Sequence, residues 1–383
     1  MEIRVYRPPV IGDVAFVPLG ITNDATSIAY TERFFTYGTF EITIPTDAHG
    51  VASFEKYLFV LIDRQFWGLI LSLERTIDAK GDTLTVAGLC LKGLTASRTT
   101  MPANFNPGQG GGVAGFDIVN GSTETCMKHF VESNFFNISA PARFVPGFTI
   151  APDLGRGRLD ELYMTRFDVL STVLEELGNT AGIGYAITPE LNLGTLTFDC
   201  AEGVNRAATQ SDNPRMIFSV ERRNTESMNY QDNDLNMRNF FYATVSGRNI
   251  EDDIYVATVT RNTESPIPSG LRRWEQFLDI SAPEPEPGSE LEELTQLAVV
   301  RAQSYVTAEF LSAVVLDHPK KYGVDYALGD IVTVQNRAWG VSMDTRVTAM
   351  TLNASAGSVT RTVTFGDAPV NPIARLRRQI RGG

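Results

Sequence analysis

The chain of 383 residues has few cysteines and no long apolar run. Cys90, Cys126 and Cys200 are far apart and form no Cys-x-x-Cys pair, which argues against a disulfide framework and against a zinc cluster. We expect all three to be buried thiols. No stretch of 18 apolar residues occurs, so no membrane span is predicted. The N-terminus lacks the apolar core of a signal peptide, so we expect the protein to be made and kept in a cytoplasm.

Basic charge is also scarce. The chain has 33 Lys and Arg against 45 Asp and Glu, which gives a formal net charge of −12. Sequence-specific DNA binding needs a basic footprint, so this class of function is disfavoured. An acidic surface usually serves solubility. It would also let a duplex slide through an enclosed channel, because it does not attract phosphate.

Sequence signatures of catalysis are missing. The glycine-rich stretch 108–112 lacks the Lys-Ser/Thr pair of a phosphate-binding loop, and GxSxG, HExxH and DxDxDG do not occur. The histidines His49, His129 and His318 are scattered, so neither a catalytic triad nor a three-histidine metal site is predicted. We therefore predict no catalytic residue, no cofactor, no metal and no enzyme activity.

Two alternatives remain open. A cell-wall hydrolase, acting on peptidoglycan or another glycan, would need two converging carboxylates, and Asp160 and Glu161 are the one loop-placed pair to test. A carbohydrate-binding module would need a stacking platform, for which Trp67, Trp274 and Trp339 are the candidates. We expect Trp67 and Trp339 in the core and Trp274 at the surface.

Hydrophobic alternation and turn residues predict a mainly β fold with α+β insertions. We expect one β-module to occur twice, as a pseudo-repeat, with mixed domains between the two copies. The family resemblance given below implies that each copy is a tube-like β-barrel module. The predicted segments are a first β-barrel module at 1–100, a mixed α/β insertion at 101–215, a β-rich domain at 216–288, a helix plus second β-barrel module at 289–370, and a basic tail at 371–383.

Three helices are predicted from apolar spacing and end signals. The first covers 123–136. The second covers 167–177, with Asp168 as its N-cap and Gly178 as its stop. The third begins at Ser289 after the proline-rich stretch 283–288, because Ser289 and Glu292 form a capping box.

Two stretches more than 270 residues apart follow one plan. Each has an apolar strand, a turn, a Trp-Gly pair, a long strand, a hairpin and a strand that ends in glycine. The plan predicts six structural repeat positions, which match in pairs between the two copies: Trp67, Gly68, Gly88, Trp339, Gly340 and Gly366. The spacing from tryptophan to the last glycine differs between the copies, and we place the extra residues in the hairpin, since loops absorb insertions.

Three segments resemble siphophage tail-hub proteins. The first segment is similar to the family's opening strand. It is Gly38-Thr39-Phe40-Glu41-Ile42 with Pro45, and it follows the aromatic run Arg33-Phe34-Phe35. The other two are Leu84-Thr85-Val86-Ala87-Gly88 followed by Leu91-Lys92-Gly93-Leu94, and Asp325-Tyr326-Ala327-Leu328-Gly329-Asp330. They occur in order near both ends of the chain, so the resemblance covers its architecture.

The resemblance implies a structural hub of a phage tail tip or baseplate. Such hubs are homotrimers in which each subunit gives two tube-like β-barrels, so three chains form a pseudo-hexameric ring. The implied role is to close or continue the tail tube and to bound the DNA exit channel. The implied partners are a distal tail ring protein, tape-measure or tail-tip proteins, and double-stranded DNA that passes without specific binding. The implied location is the virion tail tip, after assembly in the host cytoplasm. No fused cell-wall enzyme is expected, because the chain ends shortly after Gly366.

Overall fold

The computed structural model describes residues 1–10, 15–79, 81–102, 115–136, 143–159, 161–233, 237–245, 257–260, 269–280, 294–295, 298–299, 302, 308–316, 320–355 and 357–366. The chain divides into two compact units. Unit 1 contains Met1–Asn229 and Ser312–Gly366, and unit 2 contains Tyr230–Leu311 and Asp367–Gly383. The two units do not test the boundaries of the five predicted segments, so those boundaries stay a prediction.

The described elements are mostly strands. In chain order they are β1 Ile3–Arg7, β2 Val17–Thr22, β3 Ser27–Arg33, β4 Thr39–Pro45, β5 Phe59–Ile62, β6 Phe66–Asp78, β7 Gly81–Cys90, β8 Asp117–Gly121, α1 Thr123–Phe135, β9 Phe148–Ile150, β10 Glu161–Thr165, α2 Leu170–Ala181, β11 Gly184–Glu190, β12 Thr195–Ala201, β13 Ile217–Phe218, β14 Thr225–Asn233, β15 Phe240–Val245, β16 Ala257–Thr260, β17 Glu275–Ile280, β18 Ala308–Val315, β19 Ile331–Asn336, β20 Val341–Ser355 and β21 Ser358–Gly366.

One 13-stranded sheet organises unit 1. Its order is β14-β18-β21-β20-β3-β4-β7-β6-β5-β1-β2, and β19 adds to β20 and carries β13 on its other side. Both ends of the sequence therefore contribute to one sheet. They are joined where β3 pairs antiparallel with the second half of β20.

The insertion between β7 and β13 is a small α+β layer. Helices α1 and α2 pack with the β11-β12-β9 sheet around a core that includes Phe130, Leu174 and Phe198. The Ser122 side chain accepts a hydrogen bond from the Thr125 amide at 3.1 Å, which caps α1. The predicted first helix is confirmed to within one residue.

The predicted ends of the second helix are wrong. Helix α2 begins at Leu170 after Val169 and ends at Ala181, and Gly182, whose φ is +72°, is its C-cap. Asp168 is no cap, because its carboxylate accepts a hydrogen bond from the Thr165 hydroxyl at 2.8 Å. Gly178 continues the helix and allows close packing, since a Cβ there would stand 2.4 Å from the Ile183 carbonyl oxygen.

Unit 2 has its own small sheet, in the order β16-β15-β17. Its core contains Phe241 together with the helical residues Leu294, Ala298 and Ala302. The predicted helix start at Ser289, the proline-rich stretch 283–288 and the basic tail 371–383 lie outside the described residues. The predicted mainly β class with α+β insertions is confirmed. The three cysteines are free and buried, as expected.

Candidate functional site

The large sheet has one apolar face and one face rich in hydroxyl groups. Because side chains alternate along a strand, the register places every second residue of six neighbouring strands on the same side. The apolar side contains Ile28, Ile42, Val86, Leu352 and Val363, all buried. We call the other side the hydroxyl face. It contains Ser27, Ala29, Thr31, Arg33, Thr39, Glu41, Thr43, Ser72, Glu74, Thr76, Thr83, Thr85, Ala87, Thr351, Asn353, Ser355, Ser358, Thr360, Thr362 and Thr364, all half-buried or exposed.

The residues named on the hydroxyl face are small, polar and almost uncharged, and the apolar Pro45, Leu89 and Ala349 lie at the margins of the same side. Among the named residues, Arg33 is basic, and Glu41 and Glu74 are acidic. Tight phosphate binding requires several cations in contact with the backbone of the nucleic acid. A face of this composition binds water but lacks the cluster of cations that would bind the phosphates of a DNA duplex. Sequence reasoning missed it, although alternating threonines at 360, 362 and 364 were a visible signal.

Both halves of the sequence build this face through matching three-strand meanders, β5-β6-β7 and β19-β20-β21. In each, the long middle strand carries one extra residue opposite the third strand, Leu71 in β6 and Thr348 in β20. Aligned on that bulge, Ile70 matches Val347. The closing pairs of the hairpins, Asp78 with Gly81 and Ser355 with Ser358, then also match without insertion.

The residues assigned as repeat positions do not fall at matching places in this register. Trp67 pairs with Leu61 inside a strand, whereas Trp339 lies in the turn between β19 and β20. The register matches Trp67 with Asp344. The difference in spacing therefore lies at the first turn, and its placement in the hairpin is wrong, because two residues separate the closing pairs in both copies.

The glycines of those positions also differ in surroundings. A Cβ on Gly68 would stand 2.5 Å from the Phe40 ring. A Cβ on Gly88 would stand 1.9 Å from the Leu69 carbonyl oxygen. Gly340 has φ +68° in an open turn, and Gly366 ends β21. The first pair is fixed by close packing, and Gly340 by backbone conformation.

The three motifs of the family resemblance meet at Phe34. The Lys92 ammonium donates to the carbonyl oxygens of Arg33 and Phe34 at 2.6 and 2.7 Å. Gly329 has φ +93°, and a Cβ there would stand 2.2 Å from the Phe34 ring. Burial lowers the pKa of Lys92 to about 8. The motifs are therefore joints that hold the first half of the sheet to the second.

Asp330, at the end of the third motif, is a buried structural carboxylate. It accepts hydrogen bonds from the Arg206 guanidinium at 2.8 Å, the Val204 amide at 2.8 Å and the Ala327 amide at 3.0 Å. Because these donors occupy its oxygens, the Asp330 carboxylate is not placed to exchange protons with a substrate.

A charged cluster lies within the insertion, between α1 and β12. Glu124, fully buried, accepts hydrogen bonds from Lys128 at 2.6 Å and from Arg156, which binds both of its oxygens. Asp199 accepts from Lys128 and Arg156 at 3.0 and 2.8 Å. Burial disfavours the Glu124 carboxylate, but these donors outweigh burial and lower its pKa to about 2. The cluster fastens α1 to β12.

The candidates for the alternative functions are scattered in the fold. Asp160 lies outside the described residues, and the backbone of Glu161 lies in β10. Trp67 is half-buried, with its ring centroid 5.3 Å from that of Tyr6. Trp339 is 49% exposed, so its expected core position is wrong, while Trp274 is exposed as expected. Trp274 belongs to unit 2, and among the described residues of unit 1 the ring of Trp67 packs against Tyr6 and Phe16 and not against Trp339.

Within the described ranges, no three His, Cys, Asp or Glu side chains are grouped closely enough to hold a metal ion. In the same ranges no helix is both long and apolar enough to cross a membrane.

The fold is similar to that of two tail proteins of known structure. The 43 kDa tail protein of prophage MuSo2 from Shewanella oneidensis is 13% identical, with a TM-score of 0.54 over 98% of this chain and 99% of that chain. The tail protein from Neisseria meningitidis MC58 is 15% identical, with a TM-score of 0.51 over 96% of each chain. At such low identity the likeness shows the fold alone. No curated protein sequence matches the chain.

The family is decided by the sequence. The model of the family described as Siphovirus ReqiPepy6 Gp37-like protein matches residues 4–367. The chain belongs to this family. The predicted resemblance to a siphophage tail-protein family is thereby confirmed.

Proposed function

We propose that this chain is the hub of a phage tail tip or baseplate, where three copies form a pseudo-hexameric ring. The hydroxyl face lines the channel through which DNA leaves. The observation that carries the proposal is that two matching meanders from distant parts of the chain present one continuous polar face. Three chains with two meanders each give six similar walls, which suits a six-fold tail tube.

The composition of the face fits a DNA channel. Glu41 and Glu74 repel phosphate, the threonines and serines bind water, and Arg33 is the one cation among the named residues of the face. The duplex would pass without being bound. The proposed partners are a distal tail ring protein and the tape-measure or tail-tip proteins, and the proposed location is the tail tip of the virion.

The proposal assigns no enzyme activity to the chain. The buried acidic groups Glu124 and Asp330 are fully engaged by cations and amides. They stabilise joints between elements, so cell-wall cleavage and adhesion are left to other tail proteins.

The ring is tested by cryo-electron microscopy and mass photometry of the purified chain, alone and with its distal tail ring protein. We expect a trimer with six similar lobes around a central opening. A chain that stays monomeric in light scattering at tens of micromolar, both alone and with the ring protein, would refute the hub.

The channel wall is tested with Glu41→Lys and Glu74→Lys together. Because each change replaces an acidic group by a cation, the doubly substituted ring should retain a short duplex at low salt and release it at high salt. Glu132→Lys, at an exposed position of α1 outside the strands that form the hydroxyl face, is the control and should not retain DNA. Equal retention by both variants would contradict a channel lined by the hydroxyl face.

A further inference from the structure

Strand β6 has an open edge along half its length. Its first residues pair with β5 as far as Leu69 opposite Phe59. Beyond that point, among the described residues, residues 72–78 have a strand on one side alone, which is β7. Ile77 there is 81% exposed. An unpaired row of backbone donors and acceptors is a template for another strand.

The matching stretch of β20 is covered. Aligned on the bulge, residues 72–78 of β6 correspond to residues 349–355 of β20. In β20 these residues pair with β21 on one side and with β3 on the other, from Ala349 opposite Arg33 to Ser355 opposite Ser27. Ala354, which matches Ile77, is half-buried beside Ile28. The second meander therefore shows what a covered edge looks like.

The sheet supplies a strand equivalent to β3 at its far end. The first half is ordered β3-β4-β7-β6-β5 and the second half β14-β18-β21-β20-β19. The strand β14 thus holds the place in the second half that β3 holds in the first. In the described part of unit 1, residues 225–229 of β14 have β18 as their one neighbouring strand, and Glu226, Ser227 and Asn229 are exposed.

We propose that residues 225–229 of β14 in one subunit pair antiparallel with residues 72–78 of β6 in the next copy of this chain. This pairing between subunits repeats the antiparallel pairing of β3 with β20 inside each subunit, and we call both pairings seams. The inference rests on the proposed ring, and it identifies the strands that close the ring. The ring then has alternating seams of one kind, three within chains and three between them, and the hydroxyl face continues across each seam. Ile77 becomes covered, as Ala354 is.

The seam is tested by cysteine cross-linking. The native thiols Cys90, Cys126 and Cys200 are buried, so added surface cysteines dominate the reaction. Thr76→Cys is combined with Glu226→Cys in one variant and with Ser227→Cys in another. Neighbouring residues of a strand point to opposite faces, so one of the two shares the face of Thr76. A short bismaleimide should link at least one variant into covalent dimers and trimers, with no larger product.

Three controls distinguish a cross-link between subunits from one within a subunit and from random collision. The Thr31→Cys, Thr351→Cys variant carries its pair across the internal seam, so it should give an internal cross-link and a product that stays monomeric in mass. Mixed chains that each carry one cysteine, Thr76→Cys or the β14 substitution, should link only to dimers. Glu132→Cys with Ser227→Cys should give no oligomer, because Glu132 is an exposed residue of α1 and belongs to no strand of the large sheet.

The outcomes separate the seam from the ring. A trimer seen by mass photometry without cross-links in either variant overturns the seam and leaves the hub standing. Absence of any trimer overturns both. Covalent ladders that extend beyond three subunits overturn the closed arrangement, since the same strands would then build an open chain.

Discussion

The hydroxyl oxygens of Thr31 and Thr351 lie 2.9 Å apart, although 320 residues separate them in the sequence. The contact crosses the pairing of β3 with β20, where the two halves of the sheet join. It lies on the hydroxyl face, so the same residues hold the fold together and form the proposed channel wall.

The first prediction concerns this pair. Thr31→Val and Thr351→Val should each lower the free energy of unfolding by about 0.5 to 1.5 kcal/mol, because each removes one partner of a half-buried hydrogen bond. In a double-mutant cycle by urea unfolding, the pair should show a coupling of about 0.5 kcal/mol or more. Thr31→Val combined with Thr85→Val, two strands away on the same face, should be additive. Coupling as strong in the second cycle would contradict a direct contact.

The second prediction concerns Gly329. Gly329→Ala should destabilise unit 1 by about 3 kcal/mol or more, because it combines a strained φ of +93° with a clash 2.2 Å from the Phe34 ring. Gly340→Ala has a φ of +68° but no atom within 4 Å of the added Cβ. It should cost about 1 kcal/mol. Equal thermal shifts for the two variants would show that Phe34 does not require the close approach.

The third prediction concerns the buried Glu124. Glu124→Gln should cost about 3 to 5 kcal/mol, because it leaves Lys128 and Arg156 short of negative charge. Since the folded pKa of about 2 lies below the ordinary value of 4.5, the contribution of Glu124 is complete above pH 4.5 and is lost as the pH falls toward 2. The free energy of unfolding of the variant should therefore fall less steeply than that of the parent chain as the pH is lowered from 4.5 toward 2.

The matched control for Glu124 is Glu132→Gln, an exposed position on the same helix. It should change the free energy of unfolding by less than about 0.5 kcal/mol. If the free energy of unfolding of Glu124→Gln falls as steeply at acid pH as that of the parent chain, the cluster does not cause the acid destabilisation.

The fourth prediction concerns His129 and Asp117. The hydrogen bond to Asp117, 2.7 Å from Nε2, raises the pKa of His129, and partial burial opposes it. A raised pKa means that the stabilisation is complete below the ordinary value of 6.5 and is lost as the pH rises through the folded pKa. The ring is partly exposed, so solvent screening limits the contribution to about 1 kcal/mol.

His129→Gln should remove that part of the pH dependence. Unfolding free energies measured at pH 5.5 and pH 8.5 should differ less in the variant than in the parent chain. His49→Gln, in an exposed turn, serves as the comparison and should leave the difference unchanged. The same difference in His129→Gln as in the parent would contradict the contact with Asp117.

The sequence by itself determined the local elements. Period-two alternation marked strands such as β4, apolar spacing and Ser122 marked α1, and the isolated cysteines marked buried thiols, because each signal lies within a few residues of its effect. The strand–turn–long strand–hairpin plan was also legible twice, since it depends on turns and alternation alone.

The tertiary structure alone decided how these elements combine. The Trp-Gly pairs suggested a wrong alignment, because Trp67 lies inside a strand whereas Trp339 lies in a turn, and the two copies differ in length at that first turn. The hydroxyl face exists because β3 pairs with β20 across most of the chain, and such a pairing is selected by packing over long range. The exposure of Trp339 and the start of α2 after Asp168 have the same cause, since neighbours distant in sequence decide which side chains are covered and which hydrogen bonds are made.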